Sequence, residues 1–220
     1  KTIYASLQEA GFEVVASDIT PEDTHILDDA SIDVFFLALH GQFGEDGGVQ
    51  SLLEERGLAF TGSGASASRR AFDKIESKAA FAAAGVPVAR QVIVEPTDTE
   101  QTLQKKLAGF SSRLVVKPAR QGSSVGVEMA EGIAADASKA VHCYKTFGDC
   151  MIEEFIKGRE ITVGIVNGVA LPIIEIRSKA AFYDYHAKYI ADTTEYLFDT
   201  ITDGTLVKKI QKSALDCFNA

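Results

Sequence analysis

The chain has 220 residues, of which 46% are hydrophobic and 24% charged, which is typical of a globular protein with one large domain or two small ones. Its net charge of −9, from 22 basic and 31 acidic residues, disfavours binding to nucleic acid or to an anionic membrane surface. No segment approaches the roughly 18 consecutive apolar residues that a membrane-spanning helix needs. The three cysteines form no CxxC pair, so the composition favours free thiols in a reducing cytoplasm.

The first part of the chain predicts a layer of parallel strands and helices. An amphipathic helix stops at Gly11, residues 12–15 predict a short strand, and the apolar run 34–39 predicts a strand buried on both faces. His40 then opens a glycine-rich loop that also contains Glu45 and Asp46, which either bind a ligand or stabilise the loop. Because ligands of open α/β sheets bind beyond the carboxyl ends of the strands, His40 is a candidate site residue.

The middle of the chain predicts a mixed region of helices and strands. The predicted elements are a helix at 73–84, a strand at 91–94, a polar helix ending at 107, strands at 114–117 and 125–129, a helix at 134–147 and a strand at 150–153. Lys74 lies in the first turn of its helix, where a cation opposes the helix dipole. Either Asp73 or Glu76 compensates for this charge, or Lys74 is placed to meet an anion.

Residues 117–126, with the sequence KPARQGSSVG, have the features of an anion-binding loop. An apolar strand leads to a lysine and then to small residues whose backbone N–H and hydroxyl groups can surround phosphate oxygens. The segment also fits the GxSxG motif of α/β-hydrolases, but that motif requires a helix after the serine. Since residues 127–129 predict an extended strand, the sequence favours a phosphate-binding loop.

The last part of the chain predicts an antiparallel hairpin and a charged connection before it. Residues 160–166 and 169–174 predict two strands joined at Asn167-Gly168, a pair typical of a type I′ turn. No further strand is expected to pair with this hairpin. In the connection, Phe155 and Ile156 offer backbone hydrogen bonds and apolar contact to a purine, and Glu160 could accept hydrogen bonds from a ribose.

The loop at 181–196 is rich in tyrosine and charge, and a helix at 206–218 follows it. Aromatic side chains are unfavourable in water, so this loop should fold onto something. It is either a packed loop without chemistry or a lid that carries Lys188 to a phosphate.

Six segments of the chain carry a resemblance to a known family. They are HGQFGEDGGVQSLLE, FTGSG, AFDKIESK, VVKPARQGSSVGV, IEEFIKGREITVGI and FYDYHAKY. In order and spacing they resemble the D-alanine–D-alanine ligases of the ATP-grasp superfamily. The resemblance implies a fold of α/β and α+β parts. These are an N-terminal parallel α/β (pre-ATP-grasp) domain at 1–68 without its first strand, a central ATP-grasp subdomain at 69–153 and a truncated C-terminal ATP-grasp subdomain at 154–220.

The resemblance also implies roles for individual residues in binding ATP. Lys74 and Lys117 would hold the phosphates, and Lys188 would reach the γ-phosphate. The expected flap over the triphosphate consists of Gly122, Ser123 and Ser124. The adenine-binding strand would be Glu153, Glu154, Phe155 and Ile156, and the ribose-binding acid would be Glu160.

Four residues are implied to act in catalysis. Ser123 and Tyr189 would join the flap to the lid by hydrogen bonds, Lys188 would act on the γ-phosphate, and His40 would lie near the first D-alanine. Tyr189 directly after Lys188 is the pattern of the ligases that form a dipeptide. The family's ligands for Mg²⁺ (or Mn²⁺) belong to a segment beyond Ala220.

The implied activity is ATP-dependent joining of two D-alanine molecules through an acyl phosphate, for peptidoglycan synthesis in a bacterial cytoplasm. The expected cofactors are ATP and Mg²⁺ or Mn²⁺, and a homodimer is expected, with neither nucleic acid nor membrane as a partner. Two alternatives stay open. One is an ATP-grasp carboxylate–amine ligase for another D-amino or hydroxy acid, and the other is a non-catalytic nucleotide-binding module.

Overall fold

The computed structural model describes residues 2–111, 113–178 and 194–220, which form two compact units, Lys1–Ser68 and Arg69–Ala220. The predicted lid residues Lys188 and Tyr189 lie outside the described residues. Among the described helices, none is both long and apolar enough to cross a membrane.

The first unit consists of short helices and loops around a small apolar core. Its elements are α1 (Thr2–Glu9), a 3-10 helix (His25–Asp28), α2 (Gly48–Glu55) and the start of α3 (Ala65–Phe72). The buried residues Leu27, Val49 and Leu53 form the core, and Phe35 packs against them. Helix α2 therefore closes the core directly after the glycine-rich loop.

The strands predicted at 12–15 and 34–39 are wrong. Residues 12–15 have no regular structure, and the run 34–39 makes a single parallel bridge, between Phe35 and Phe60. Phe36 is 51% exposed, whereas Phe35 packs on the core. The apolar run predicted a strand that is covered on both faces. Among the described residues, other side chains pack on one face of this run only, so alternate side chains are exposed to solvent.

The second unit begins with a four-stranded sheet and the helices around it. Its elements are α4 (Lys74–Ala83), β1 (Gln91–Ile93), α5 (Glu100–Lys106), β2 (Arg113–Pro118), β3 (Glu128–Glu131), α6 (Ile133–Phe147) and β4 (Cys150–Glu154). The strand order is β1-β4-β2-β3, and every neighbouring pair is antiparallel. Residues 119–127, between β2 and β3, form the glycine–serine loop. The predicted return of the chain as a strand after this loop is confirmed, and the strand begins at Glu128 because a turn occupies the residues before it.

One face of this sheet carries the core. Leu114 and Val116 of β2 and Ile152 of β4 point to that side and pack with Leu103 of α5 and Ala140 of α6. Because side chains alternate along a strand, the residues between them face the other way. The opposite face of β2 and β4 carries the buried Val115 and Met151 together with Lys117 and Glu153.

A second sheet follows, with strand order β5-β6-β7. Its strands are β5 (Glu160–Val166), β6 (Val169–Ser178) and β7 (Thr194–Leu197), and α7 (Gly204–Asn219) ends the chain. Asn167 and Gly168 have φ of 50° and 75°, so the type I′ hairpin is confirmed. The expectation of a hairpin without further sheet is wrong, because β7 pairs with β6, and Tyr196 lies in this strand rather than in a loop. Strand β7 satisfies backbone groups that would otherwise be exposed at the edge of β6.

Helix α4 begins at a capping residue, Asp73. Its carboxylate accepts hydrogen bonds from the backbone N–H groups of Ile75 and Glu76, at 2.9 and 3.1 Å, and from Nε of Arg120 at 2.7 Å. Burial acts to raise the pKa of Asp73, but these hydrogen bonds outweigh burial and hold the pKa below its usual value. Asp73 thus compensates for Lys74 in the first turn.

We expect Asp73→Ala to lower the free energy of unfolding by about 1–2 kcal/mol, as measured by urea denaturation, because the helix loses its cap. Asp73→Asn keeps a capping oxygen and should lose less. Since the folded-state pKa is lowered, the stabilisation by the carboxylate is present above the usual pKa of 3.8 and is lost as the pH falls through the folded value. Equal stability of Asp73→Ala and the wild type at pH 7 would contradict the assigned cap.

Candidate nucleotide-binding site

The face of the first sheet opposite its main core brings Lys117 and Glu153 together. Strands β2 and β4 pair with Val115 opposite Glu153, so Lys117, two residues further along β2, lies diagonally across on the same face. The Lys117 ammonium donates a hydrogen bond to Oε2 of Glu153. The strand register therefore sets the position of the predicted phosphate-binding lysine.

Glu153 holds a second lysine as well. Nζ of Lys78, on α4, donates to Oε1 of Glu153 at 2.5 Å and to the carbonyl oxygen of Ala89 at 2.9 Å. The Glu153 side chain is 9% exposed, against 12% for Lys78 and 29% for Lys117. Burial acts to raise the pKa of Glu153, yet the two ammonium groups hold it below its usual range. The three side chains form an ion triad with a net charge of +1.

Lys74 joins α4 to the loop that follows β2. Its Nζ donates to the carbonyl oxygens of Gln121 at 2.5 Å and Ala119 at 3.5 Å, and its backbone N–H donates to Ala119 at 3.0 Å. Lys74 and Lys78 are four residues apart, so they lie on the same side of α4. Contacts therefore run in a closed ring through α4, the ion triad, β2 and the loop.

The predicted flap is a tight turn with unusual backbone geometry. Ser123 and Ser124 have φ of 51° and 64°, a left-handed conformation that non-glycine residues adopt rarely and that is concentrated at functional sites. Gly126 has φ of 69°, and a Cβ there would lie 2.7 Å from the Pro118 side chain. Strand β3 follows this turn, so the serines lie between two strands, which excludes the strand–turn–helix geometry of a hydrolase nucleophile.

The connection at 154–160 runs from β4 to β5. Glu154 accepts a hydrogen bond from Arg90 at 3.4 Å, and the Phe155 ring lies 4.2 Å from the guanidinium of Arg113. Ile156 is 68% exposed, and Glu160 is an exposed residue at the start of β5. Contact of this segment with adenine and ribose stays a prediction.

His40 lies in the first unit and is exposed. In the loop that it opens, Glu45 accepts a hydrogen bond from the Gly41 backbone N–H at 2.8 Å, and Asp46 accepts one from Gly48 at 2.9 Å. These two carboxylates stabilise the loop, which was one of the two interpretations of the sequence. The role of His40 beside a D-alanine stays a prediction.

Lys78, a member of the ion triad, is not among the residues that the sequence predicts for the site. A signal was present, since Lys78 follows Lys74 by four residues in the segment AFDKIESK and must share its side of the helix. Contact of Glu153 with adenine stays a prediction, and the structure adds that its side chain binds two lysines.

In the parts of the chain that the structure describes, no group of three or more His, Cys, Asp or Glu side chains could hold a metal ion. Glu153, the buried acid of the site, already binds two ammonium groups.

Comparison with known proteins agrees with this fold. Residues 80–220 match the family model for the D-ala D-ala ligase C-terminus, and residues 23–63 match that for the N-terminus. A D-alanine–D-alanine ligase from Methylacidiphilum infernorum is 39% identical over 220 residues, which are all of this chain and 69% of the relative. One from Citrifermentans bemidjiense is 44% identical over 193 residues, 86% of this chain and 60% of the relative.

A solved structure shows the same likeness. The D-alanine–D-alanine ligase from Bacillus anthracis, complexed with ATP, has a TM-score of 0.79 and 29% sequence identity, and the match covers 98% of this chain and 68% of that one. The predicted fold class is confirmed, and the class of protein is an ATP-grasp ligase. The chain belongs to the D-alanine–D-alanine ligase family. It spans about two thirds of the length of these relatives.

Proposed function

We propose that the protein joins two D-alanine molecules to D-alanyl-D-alanine, with ATP converting the first carboxylate to an acyl phosphate. The observation that supports this proposal is the closed ring of contacts that links Lys74, Lys117 and the glycine–serine loop. Family membership supports the choice of reaction.

The described residues suit the charge problem of this reaction. A carboxylate is a poor electrophile and must first be activated by ATP. Its activation brings two anions close together, the carboxylate of D-alanine and the triphosphate of ATP. Lys74 and Lys117 would neutralise the phosphates in an otherwise acidic protein, and Gly122, Ser123 and Ser124 would cover them. Such positioning and charge neutralisation supply most of the catalysis of phosphoryl transfer. Excluding water protects an acyl phosphate from hydrolysis.

The remaining parts of the proposal concern partners and location. ATP would be used as its complex with Mg²⁺ or Mn²⁺. We propose a homodimer in the bacterial cytoplasm that supplies a peptidoglycan precursor. The free thiols of Cys143, Cys150 and Cys217 fit a reducing compartment.

The test is phosphate release from Mg-ATP by the full-length protein with D-alanine, with L-alanine, or with D-alanine plus D-lactate. We expect release and D-alanyl-D-alanine with D-alanine, and no release with L-alanine alone. If the mixture of D-alanine and D-lactate gave mainly D-alanyl-D-lactate, the protein would be a ligase with a different second substrate. ATP binding without release under any condition would indicate a nucleotide-binding module and would refute the proposal.

A further inference from the structure

We propose that Lys78 is a positioning residue of the nucleotide site, which shares the carboxylate of Glu153 and so leaves the Lys117 ammonium available to phosphate. This inference rests on the proposed function, because it assumes that Lys117 binds the phosphates of ATP. It concerns a residue whose side chain is 12% exposed, against 29% for Lys117.

The geometry fixes Lys78 in one place. Its ammonium is held by Oε1 of Glu153 at 2.5 Å and by the Ala89 carbonyl oxygen at 2.9 Å. Ala89 lies just before β1, and β1 pairs with β4 so that Gln91 is opposite Glu153. Lys78 therefore binds where α4, β1 and β4 meet, with 12% of its side chain exposed. Lys117 uses the other oxygen of the same carboxylate and is more than twice as exposed.

The two ammonium partners of Glu153 determine how strongly its carboxylate holds Lys117. Glu153 is buried, and a buried carboxylate with a single ammonium partner would hold that partner strongly, because an unpaired buried charge is unfavourable. If Lys117 were the sole partner, phosphate would have to compete against this attraction. With Lys78 present, Glu153 keeps a counterion when Lys117 turns toward phosphate. Lys78 thereby lowers the free energy that ATP must supply to recruit Lys117.

The competing explanation is that Lys78 only stabilises the packing of α4 on the sheet, since its side chain links the two. The two explanations differ in how Lys78 and Glu153 couple. If Lys78 only stabilises the packing of α4, replacing both Lys78 and Glu153 should weaken ATP binding as much as, or more than, replacing Lys78 alone. If Lys78 shares the charge of Glu153, neutralising Glu153 in addition should release Lys117 and restore part of the affinity.

The experiment measures the dissociation constant of ATP by calorimetry, in the absence of D-alanine, for full-length variants. Lys78→Met should weaken ATP binding at least fivefold, and Lys78→Arg should stay within twofold of the wild type. The double variant Lys78→Met/Glu153→Gln should bind ATP at least twofold more tightly than Lys78→Met. Lys78→Gln, which can still donate to Ala89, replaces Lys78→Met if that variant does not fold.

Lys106→Met is the matched control. Lys106 makes an ion pair with a buried carboxylate, Asp98, at 2.7 Å, but it lies on α5, on the core face of the sheet. The ATP affinity of the Lys106→Met variant should equal that of the wild type. The inference is overturned if Lys78→Met binds ATP like Lys106→Met, or if the double variant gains nothing over Lys78→Met. Failure of the wild type itself to bind ATP would refute the proposed function instead.

Discussion

Replacing Lys117 by alanine should weaken ATP binding by about 10- to 100-fold. A hydrogen bond between charged groups contributes about 1.5–3 kcal/mol, and each 1.4 kcal/mol corresponds to a factor of ten in the dissociation constant. The side chain of Lys117 is 29% exposed, so a phosphate can reach it, and the glycine–serine loop follows one residue after Lys117 in the chain. Calorimetric titration of the full-length protein with ATP measures the change.

A comparison of ligands shows whether this loss comes from the phosphates. Adenosine lacks them, so its affinity should be the same for Lys117→Ala and for the wild type. Glu153 keeps Lys78 as a partner in this variant, and the protein should therefore remain folded, which a thermal melt checks. Unchanged ATP affinity, or an equal loss for adenosine and ATP, would refute a phosphate-binding role for Lys117.

The parts of the fold that the sequence predicts well are those with local signals. Helix α4 has a capping aspartate at its start and Gly85 directly after its last turn, and both signals act within a few residues of the helix ends. The hairpin of β5 and β6 is set by Asn167 and Gly168, which adopt positive φ readily. No distant contact is needed to predict either element.

The parts that the sequence does not predict depend on distant contacts. Residues 34–39 are as apolar as a buried strand, but whether they form one depends on which elements lie on both of their faces. Lys78 and Glu153 are 75 residues apart, and their contact follows from the pairing of β1 with β4 and from the placement of α4. The motifs therefore predict both Lys117 and Glu153 as site residues, while the structure adds the contact between them.

The ion triad also makes a strong prediction about stability. Glu153→Leu would leave the ammonium groups of Lys78 and Lys117 without their carboxylate in a largely buried site. Removing one member of a buried ion pair is destabilising by about 3–5 kcal/mol, and we expect about 3 kcal/mol because Lys117 keeps some contact with solvent. Urea denaturation at pH 7.5 measures the difference from the wild type.

The pH dependence of the wild type provides a second check on Glu153. Its pKa is lowered in the folded state, so its stabilisation is present above the usual pKa of 4.5 and is lost as the pH falls through the folded value. The difference in stability between the wild type and Glu153→Leu should therefore shrink below about pH 4.5.

Replacing the whole triad separates stability from nucleotide binding. Apolar residues of similar volume often substitute for a buried ion network at little or no loss of stability. We therefore expect the triple variant Lys78→Met, Lys117→Met and Glu153→Leu to recover most of the stability that Glu153→Leu loses, to within about 1 kcal/mol of the wild type. The same variant should bind ATP at least as weakly as Lys117→Ala. If it stayed as unstable as Glu153→Leu, unpaired ammonium groups would not be the cause of the instability, and the triad would owe its position to packing rather than to charge.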